Sequence, residues 1–202
     1  MSQKGKSNTN MPFEFKATSI AGVYIVEPKI FGDERGYFFE TYQKDLFDAA
    51  GLRYTFVQFN QSQSHRGVLR GLHFQTRKPQ AKLVRVVLGE VYDVAVDLRK
   101  DSPTYGKYVG VVLSAEKHNM FMIPRGFAHG FLVLSDVAIF EYQVDDVYDP
   151  GYEGGLLWND PTIGIVWPEH GPLELSPKDQ LHLPFVEKKI EFGWKDRAFQ
   201  VL

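Results

Sequence analysis

Short apolar runs separated by glycine, proline and polar residues set the rhythm of this chain. Where a run alternates, it does so with the two-residue period of a half-buried strand. The cleanest case covers residues 91–98, which puts Tyr92, Val94, Val96 and Leu98 on one face and Asp93 and Asp97 on the other. With the apolar arm at residues 82–87 and the intervening Leu88-Gly89-Glu90, it predicts a long β-hairpin. Residues 23–26 form a β-branched and aromatic run ended by Pro28, and predict another strand. Further strands are expected at residues 54–59, 108–113, 120–123, 127–134 and 137–144. Residues 31–40 read as a turn followed by a strand, and residues 62–67, Ser-Gln-Ser-His-Arg-Gly, as a polar loop.

Helical signals are confined to two places. Residues 44–50 set Leu46, Phe47 and Ala50 on one side and end at Gly51, a stop signal. At residues 176–180, Ser176 can cap and Pro177 fits a first turn. Many short strands and few helices predict an all-β fold, a barrel or two-sheet jelly roll. No internal repeat or linker interrupts the pattern, so residues 12–202 are expected to form one domain behind a polar, disordered leader at residues 1–11.

Composition narrows the function classes. A chain of 202 residues supports one sizeable core. Its 23 basic and 25 acidic residues leave a net charge of -2, so no global field favours nucleic acid. The absence of cysteine excludes disulfides and thiolate metal sites and fits a reducing cytoplasm. No apolar run approaches the roughly 20 residues of a membrane helix. The first residues also lack the apolar stretch of a signal peptide, so a soluble cytoplasmic protein is expected.

Candidate chemistry gathers around two histidines. His73 lies in Gly67-Val68-Leu69-Arg70-Gly71-Leu72-His73-Phe74-Gln75, and His129 in Pro124-Arg125-Gly126-Phe127-Ala128-His129-Gly130. Their spacing fits the two cupin motifs, G-x5-H-x-H and P-x-G-x2-H. Gln75 replaces the second histidine of H-x-H, and Pro79-Gln80 stands where a glutamate is expected. Transition metals favour three or more imidazole and carboxylate ligands, so two histidines beside neutral glutamines predict no metal here. Arg70 is expensive beside an apolar strand unless an anion meets it. In a regular strand Arg70 and His73 would point to opposite faces, and Gly71 between them predicts a kink that turns both into one cavity.

Several further motifs follow in order: Phe31-Gly32-Asp33-Glu34-Arg35-Gly36, Gly89-Glu90-Val91-Tyr92-Asp93-Val94-Ala95-Val96-Asp97, Leu157-Trp158-Asn159-Asp160 and Leu175-Ser176-Pro177-Lys178-Asp179. With the two histidine motifs, they make residues 23–184 similar to the dTDP-4-dehydrorhamnose 3,5-epimerase family. The resemblance implies a cupin-type double-stranded β-helix barrel, a dTDP-sugar substrate, no cofactor, and a homodimer whose N-terminal strands reach toward the partner. It implies removal of protons at C3 and C5, beside the C4 ketone, and their return to the opposite faces. The product is dTDP-4-dehydro-β-L-rhamnose, made from dTDP-4-dehydro-6-deoxy-α-D-glucose on the route to dTDP-L-rhamnose.

By the same resemblance His73 is the base and Asp179 its orienting carboxylate. Lys82 steadies the C4 enolate, and Tyr142 donates a proton on the opposite face. Arg35 and Arg70 match substrate-contacting arginines, and planar guanidinium donors suit a diphosphate. Glu40, Gln58, Asn60 and His129 match further substrate contacts, as do Glu153 and Lys178. Phe31 and Tyr148 are candidates to flank the thymine. Taken singly, each of these residues has a bland reading: lysines are commonly solvated and tyrosines commonly pack. Their order within the family pattern is what gives them weight.

One stretch departs from the family, which commonly has Gln-Asp-Asn-His where this chain has Gln58-Phe59-Asn60-Gln61. Strand alternation would turn Phe59 away from Gln58 and Asn60. The rival readings are a relative that inverts one carbon or moves the ketone, a metal-dependent cupin oxygenase, and a non-catalytic sugar-nucleotide-binding barrel. Tyr142 favours complete epimerisation, since inversion needs a donor on the second face.

Overall fold

Alternating strands with two different faces resolve into two sheets sharing one interior. The computed structural model describes residues 11–187 and Phe192 and Gly193. The first strands are β1 (Phe13–Ala17), β2 (Tyr24–Pro28), β3 (Phe31–Asp33) and β4 (Gly36–Phe38), followed by helix α1 (Lys44–Ala49). Next come β5 (Gln58–His65), β6 (Leu69–Gln75), β7 (Lys82–Leu88), β8 (Glu90–Asp97) and β9 (Arg99–Lys100). The chain continues through β10 (Tyr108–Ser114), β11 (Met120–Ile123), β12 (Phe127–Val133), β13 (Val137–Val144) and β14 (Glu153–Gly155). Helix α2 (Pro177–Gln180) and β15 (Phe192–Gly193) complete the described elements.

One sheet has six strands in the order β1-β2-β11-β7-β13-β5, the other five in the order β10-β8-β12-β6-β14. All of their pairings are antiparallel. Between them lies a core to which the first sheet contributes Val84, Val86, Phe121 and Phe140, and the second Val91, Ala95, Phe127 and Phe131. Each of these valine and phenylalanine side chains, fully buried, contributes roughly 1.5–3 kcal/mol. The arrangement is the expected cupin-type jelly roll.

Both sheets are also covered on the outside. α1 and the chain after it lay Phe47, Leu52 and Tyr54 against Val26, Leu83, Met120 and Met122 of the six-stranded sheet. On the five-stranded sheet, Leu156, Ile163 and Phe192 cover Leu72, Phe74, Val94 and Val96. Double coverage explains β8, whose two faces are both buried. The face marked by Asp93 and Asp97 is the interior one, shared with Val91 and Ala95.

Three expectations are corrected. β7 and β8 do not form a hairpin: β7 pairs with β11 and β13, β8 with β10 and β12, so Gly89 turns a corner between sheets. Gly89 has φ +79°, and a Cβ there would lie 2.1 Å from the Val137 carbonyl oxygen. The strand expected at residues 54–59 begins only at Gln58 and runs on to His65, through most of the expected polar loop. Its half-buried positions, Gln58, Asn60 and Ser62, alternate with the exposed Phe59, Gln61 and Gln63. Polarity there marks a half-buried polar face of a strand and not a loop. Finally, the turn and strand expected within residues 31–40 are present, but residues 31–33 form an unexpected further strand that pairs with residues 36–38 as a small hairpin.

The remaining strand predictions agree with the structure to within a residue or two. α2 begins as expected, with the Ser176 side chain accepting from the Asp179 N–H. Among the described residues no helix is long and apolar enough to cross a membrane. Apart from Met11, the expected leader lies outside the described residues.

Candidate active site

At one end of the shared interior the apolar filling gives way to a cavity of about 340 Å³ with mixed polar and aromatic walls. β5 supplies Gln58 and Asn60, β6 supplies Arg70 and His73, and β7 supplies Lys82. β12 contributes His129, β13 Tyr142, and the following chain Tyr148 and Glu153. The six-stranded sheet thus presents Lys82 and Tyr142 to a cavity whose other sheet presents His73 and His129.

Arg70 and His73 share this cavity because β6 is irregular between them. His129 pairs with His73 and Phe131 with Arg70, so three steps along β6 match two along β12. Gly71 makes the shift possible. Its φ is +131°, and a Cβ would lie 2.6 Å from the Gly130 Cα. The predicted kink is present.

His73 Nε2 lies 2.6 Å from Asp179 Oδ1. The His73 side chain is 30% exposed, while that of Asp179 is 4% exposed. Asp179 reaches the strand because Ser176 caps the turn that carries it, and the Gly71 N–H donates to its second oxygen at 3.4 Å. Burial alone would raise the Asp179 pKa. The hydrogen bond and charge of His73 outweigh it and hold the carboxyl below its ordinary range. The carboxylate therefore fixes one ring nitrogen, leaving the other for proton exchange.

The cationic and phenolic groups sit across from this dyad. Lys82 is pushed down to about 8, by burial first, although Asp93 and Glu153 pull the other way. Its Nζ is 5.8 Å from the centre of the Tyr142 ring. Burial raises the Tyr142 pKa, with Arg70 opposing, so its phenol stays protonated at neutral pH. A protonated phenol and a cation beside it can donate to developing negative charge.

The other predicted residues sort clearly. Arg70 Nε donates to Ser64 Oγ at 3.0 Å, holding the guanidinium at the cavity wall. Gln58 Nε2 donates to Asn60 Oδ1 at 2.9 Å, and Gln58 Oε1 accepts from the Tyr148 N–H at 2.9 Å. Glu153 accepts from Tyr148 Oη at 2.8 Å and pairs with Lys178, and these bonds outweigh burial to lower its pKa. Lys178 and Asp179 line a second groove that meets the cavity at Arg70 and His73. His129 Nε2 is 3.0 Å from both oxygens of Asp93. Burial raises the pKa of Asp93 and lowers that of His129, against their mutual attraction.

Arg35 and Glu40 are not brought to this cavity. Arg35 lies on the exposed hairpin, where its Nε donates to Asp33 at 3.1 Å, and Glu40 follows that hairpin. Sequence reasoning also missed the structural part played by several residues. Asp93 was visible only as half of an alternation, without its histidine partner. Gln75, placed where a cupin histidine is expected, is buried and accepts from the Asp149 N–H at 3.2 Å, anchoring a loop at the cavity rim. His182, 3.5 Å from Asp179 Oδ1, lies in no motif that singled it out.

Fold and site together define a cupin-type barrel whose cavity is equipped for proton transfer by a histidine–carboxylate dyad facing a lysine and a tyrosine. The family model for dTDP-4-dehydrorhamnose 3,5-epimerase matches residues 17–187. A protein of that name from Methanothermobacter thermautotrophicus is 53% identical over 180 residues, spanning 88% of this chain and 97% of its own. One from Salmonella typhimurium is 56% identical over 164 residues, 80% of this chain and 90% of the other. The crystal structure of a dTDP-6-deoxy-D-glucose-3,5-epimerase from Legionella pneumophila, in complex with dTDP-4-keto-L-rhamnose, has a TM-score of 0.87 at 45% identity. That match covers 91% of this chain and 99% of the Legionella chain. The chain belongs to the dTDP-4-dehydrorhamnose 3,5-epimerase family.

Proposed function

We propose that this chain is a 3,5-epimerase of dTDP-4-dehydro-6-deoxy-α-D-glucose, an isomerase making dTDP-4-dehydro-β-L-rhamnose for dTDP-L-rhamnose synthesis. The observation that carries the reading is His73, bonded to Asp179 at 2.6 Å, in one cavity with Lys82 and Tyr142 from the facing sheet. His73 takes the hydrogen at C3 as a proton, and the electron pair moves onto the C4 oxygen. Lys82 steadies that enolate. Tyr142 returns a proton to the other face of the ring; His73 then gives its proton to solvent and Tyr142 takes one back from it, which readies both for the same sequence at C5. No net proton or electron is gained, and the reading calls for no cofactor because Lys82 supplies the positive charge.

Arg70, with Gln58, Asn60, His129, Glu153 and Lys178, would hold the sugar nucleotide, the guanidinium meeting the diphosphate. Arg35 and Glu40 have a place in this scheme if two copies pair and the hairpin of one reaches the cavity of the other. The exposed Phe31, Tyr37, Phe38 and Phe59 support a homodimer, since aromatic side chains exposed this far favour burial against a partner. Residues 12–202 are taken as one such domain, working in the cytoplasm as a cysteine-free chain can. Incubation with the 4-keto sugar in D2O should place deuterium at both C3 and C5. Incorporation at one carbon would make the chain a mono-epimerase, and at neither would end the reading.

A further inference from the structure

His182 lies beyond α2, yet its imidazole reaches the carboxylate oxygen that holds His73. Its Nε2 is 3.5 Å from Asp179 Oδ1, and its side chain is only 11% exposed. The His73 and His182 rings meet edge to face, with centroids 5.7 Å apart. Gly155, which pairs with His73 across β14 and β6, makes room for the second ring. A Cβ at position 155 would lie 2.1 Å from His182 Nε2, so any other residue there would expel the imidazole. The result is two imidazoles and one carboxylate whose ligand atoms all lie within 4.8 Å of one another.

We infer that His73, Asp179 and His182 form a binding site for a divalent transition-metal ion of the zinc class, and that the ion inhibits the enzyme by occupying its proton-transfer dyad. The donor set is the two-histidine, one-carboxylate combination such ions favour, with further positions left for water. Tetrahedral ligands about 2.0–2.1 Å from zinc lie roughly 3.4 Å apart. The 3.5 Å between His182 and Asp179 already meets that separation. The 2.6 Å between His73 and Asp179 must lengthen, and the partly exposed His73 ring has the cavity to move into. This site differs from the metal position of the cupin motifs, where Gln75 stands in place of a ligand and His129 is taken by Asp93.

The inhibition follows from the tautomer. A neutral His73 that donates from Nε2 to Asp179 keeps its lone pair on Nδ1, where it can accept a proton. An ion on Nε2 needs the lone pair there, so the single ring proton moves to Nδ1 and the base is lost. No proton is released in the exchange. Binding of the ion stands apart from the proposed reaction, whereas its inhibitory effect rests on that reading.

The test is a titration of the full chain with Co2+ near neutral pH, read by visible ligand-field absorption, with Zn2+ as competitor. A saturable tetrahedral spectrum from one ion per chain, displaced by Zn2+, is expected. His182→Gln should lower the affinity at least tenfold, and Asp179→Asn should do the same and decides the matter if His182→Gln does not fold. A featureless titration, or unchanged affinity in a folded variant, overturns the site. In parallel, Zn2+ should suppress deuterium incorporation into the 4-keto sugar reversibly, with restoration by a chelator. Stoichiometric binding with full exchange activity would overturn the inhibition, and a metal-binding chain with no exchange activity in any condition would overturn the epimerase reading instead.

Discussion

Each of the two histidines that line the cavity meets a carboxylate, and the two pairs, built from the same chemical parts, sit in opposite environments. His73 and Asp179 meet across 106 positions of sequence, with the histidine 30% exposed to the cavity. His129 and Asp93 meet between neighbouring strands β12 and β8, with side chains 8% and 0% exposed. In the first pair the carboxyl is held below its ordinary range, so a stable anion stands behind an accessible imidazole. In the second, burial drives Asp93 up and His129 down, toward neutral partners. Exposure of the imidazole, more than its bond to a carboxylate, separates a ring that can exchange protons with substrate from one that shapes and polarises a wall.

The comparison breaks most sharply at His73. His73→Ala should cut turnover by roughly 10²–10⁴ while the fold persists, because its side chain is partly exposed. Product formation and deuterium wash-in measure this, and turnover within tenfold of wild type would move the base elsewhere. Tyr142→Phe comes next, with inversion falling by roughly 10² while exchange on the His73 face continues. The ratio of exchange to inversion should therefore rise. An unchanged ratio would remove Tyr142 from the second face.

Lys82 lines the same cavity and gives a smaller, pH-dependent effect. With its pKa at about 8, the cation that steadies the enolate is lost as pH rises through that value, and turnover should decline by about tenfold per unit beyond it. The stability effect has the opposite sense. Between about 8 and the ordinary 10.5, the unfolded chain holds more protons at this lysine than the folded one, so stability rises with pH in that window. Denaturant midpoints on either side of pH 8 measure the second effect, and Lys82→Met should remove both. The smallest change is Asp93→Ala, which leaves the His129 ring without its carboxylate and should cost about 1–3 kcal/mol of stability. A denaturation midpoint that does not move would mean the pair is not structural.

Much of this was legible in the chain. Strands 120–123 and 137–144 were read at their observed limits, and the Ser176 cap was visible from residue type alone. Gly71 was a local irregularity with a local cause, and the register shift at Arg70 and His73 is what it produced. The misreadings share a different cause. The second half of β5 looked like a loop because its residues are polar, and only the cavity its inward positions face makes that pattern a strand. The apparent hairpin of β7 and β8 failed because pairing partners are chosen across the whole barrel.

By itself, then, the sequence determined the β-rich class, the turn and cap positions, and the family to which the chain belongs. These follow from local preferences and from ordered motifs, which a linear chain carries in full. The tertiary structure decided which sheet each strand joins, which face of β8 is the interior, and which histidine remains open to the cavity. It also brought His182 beside Asp179 and Gly155 beside His182. Such facts depend on burial and on contacts between residues far apart in the chain, and burial exists only once the sheets have closed around their shared interior.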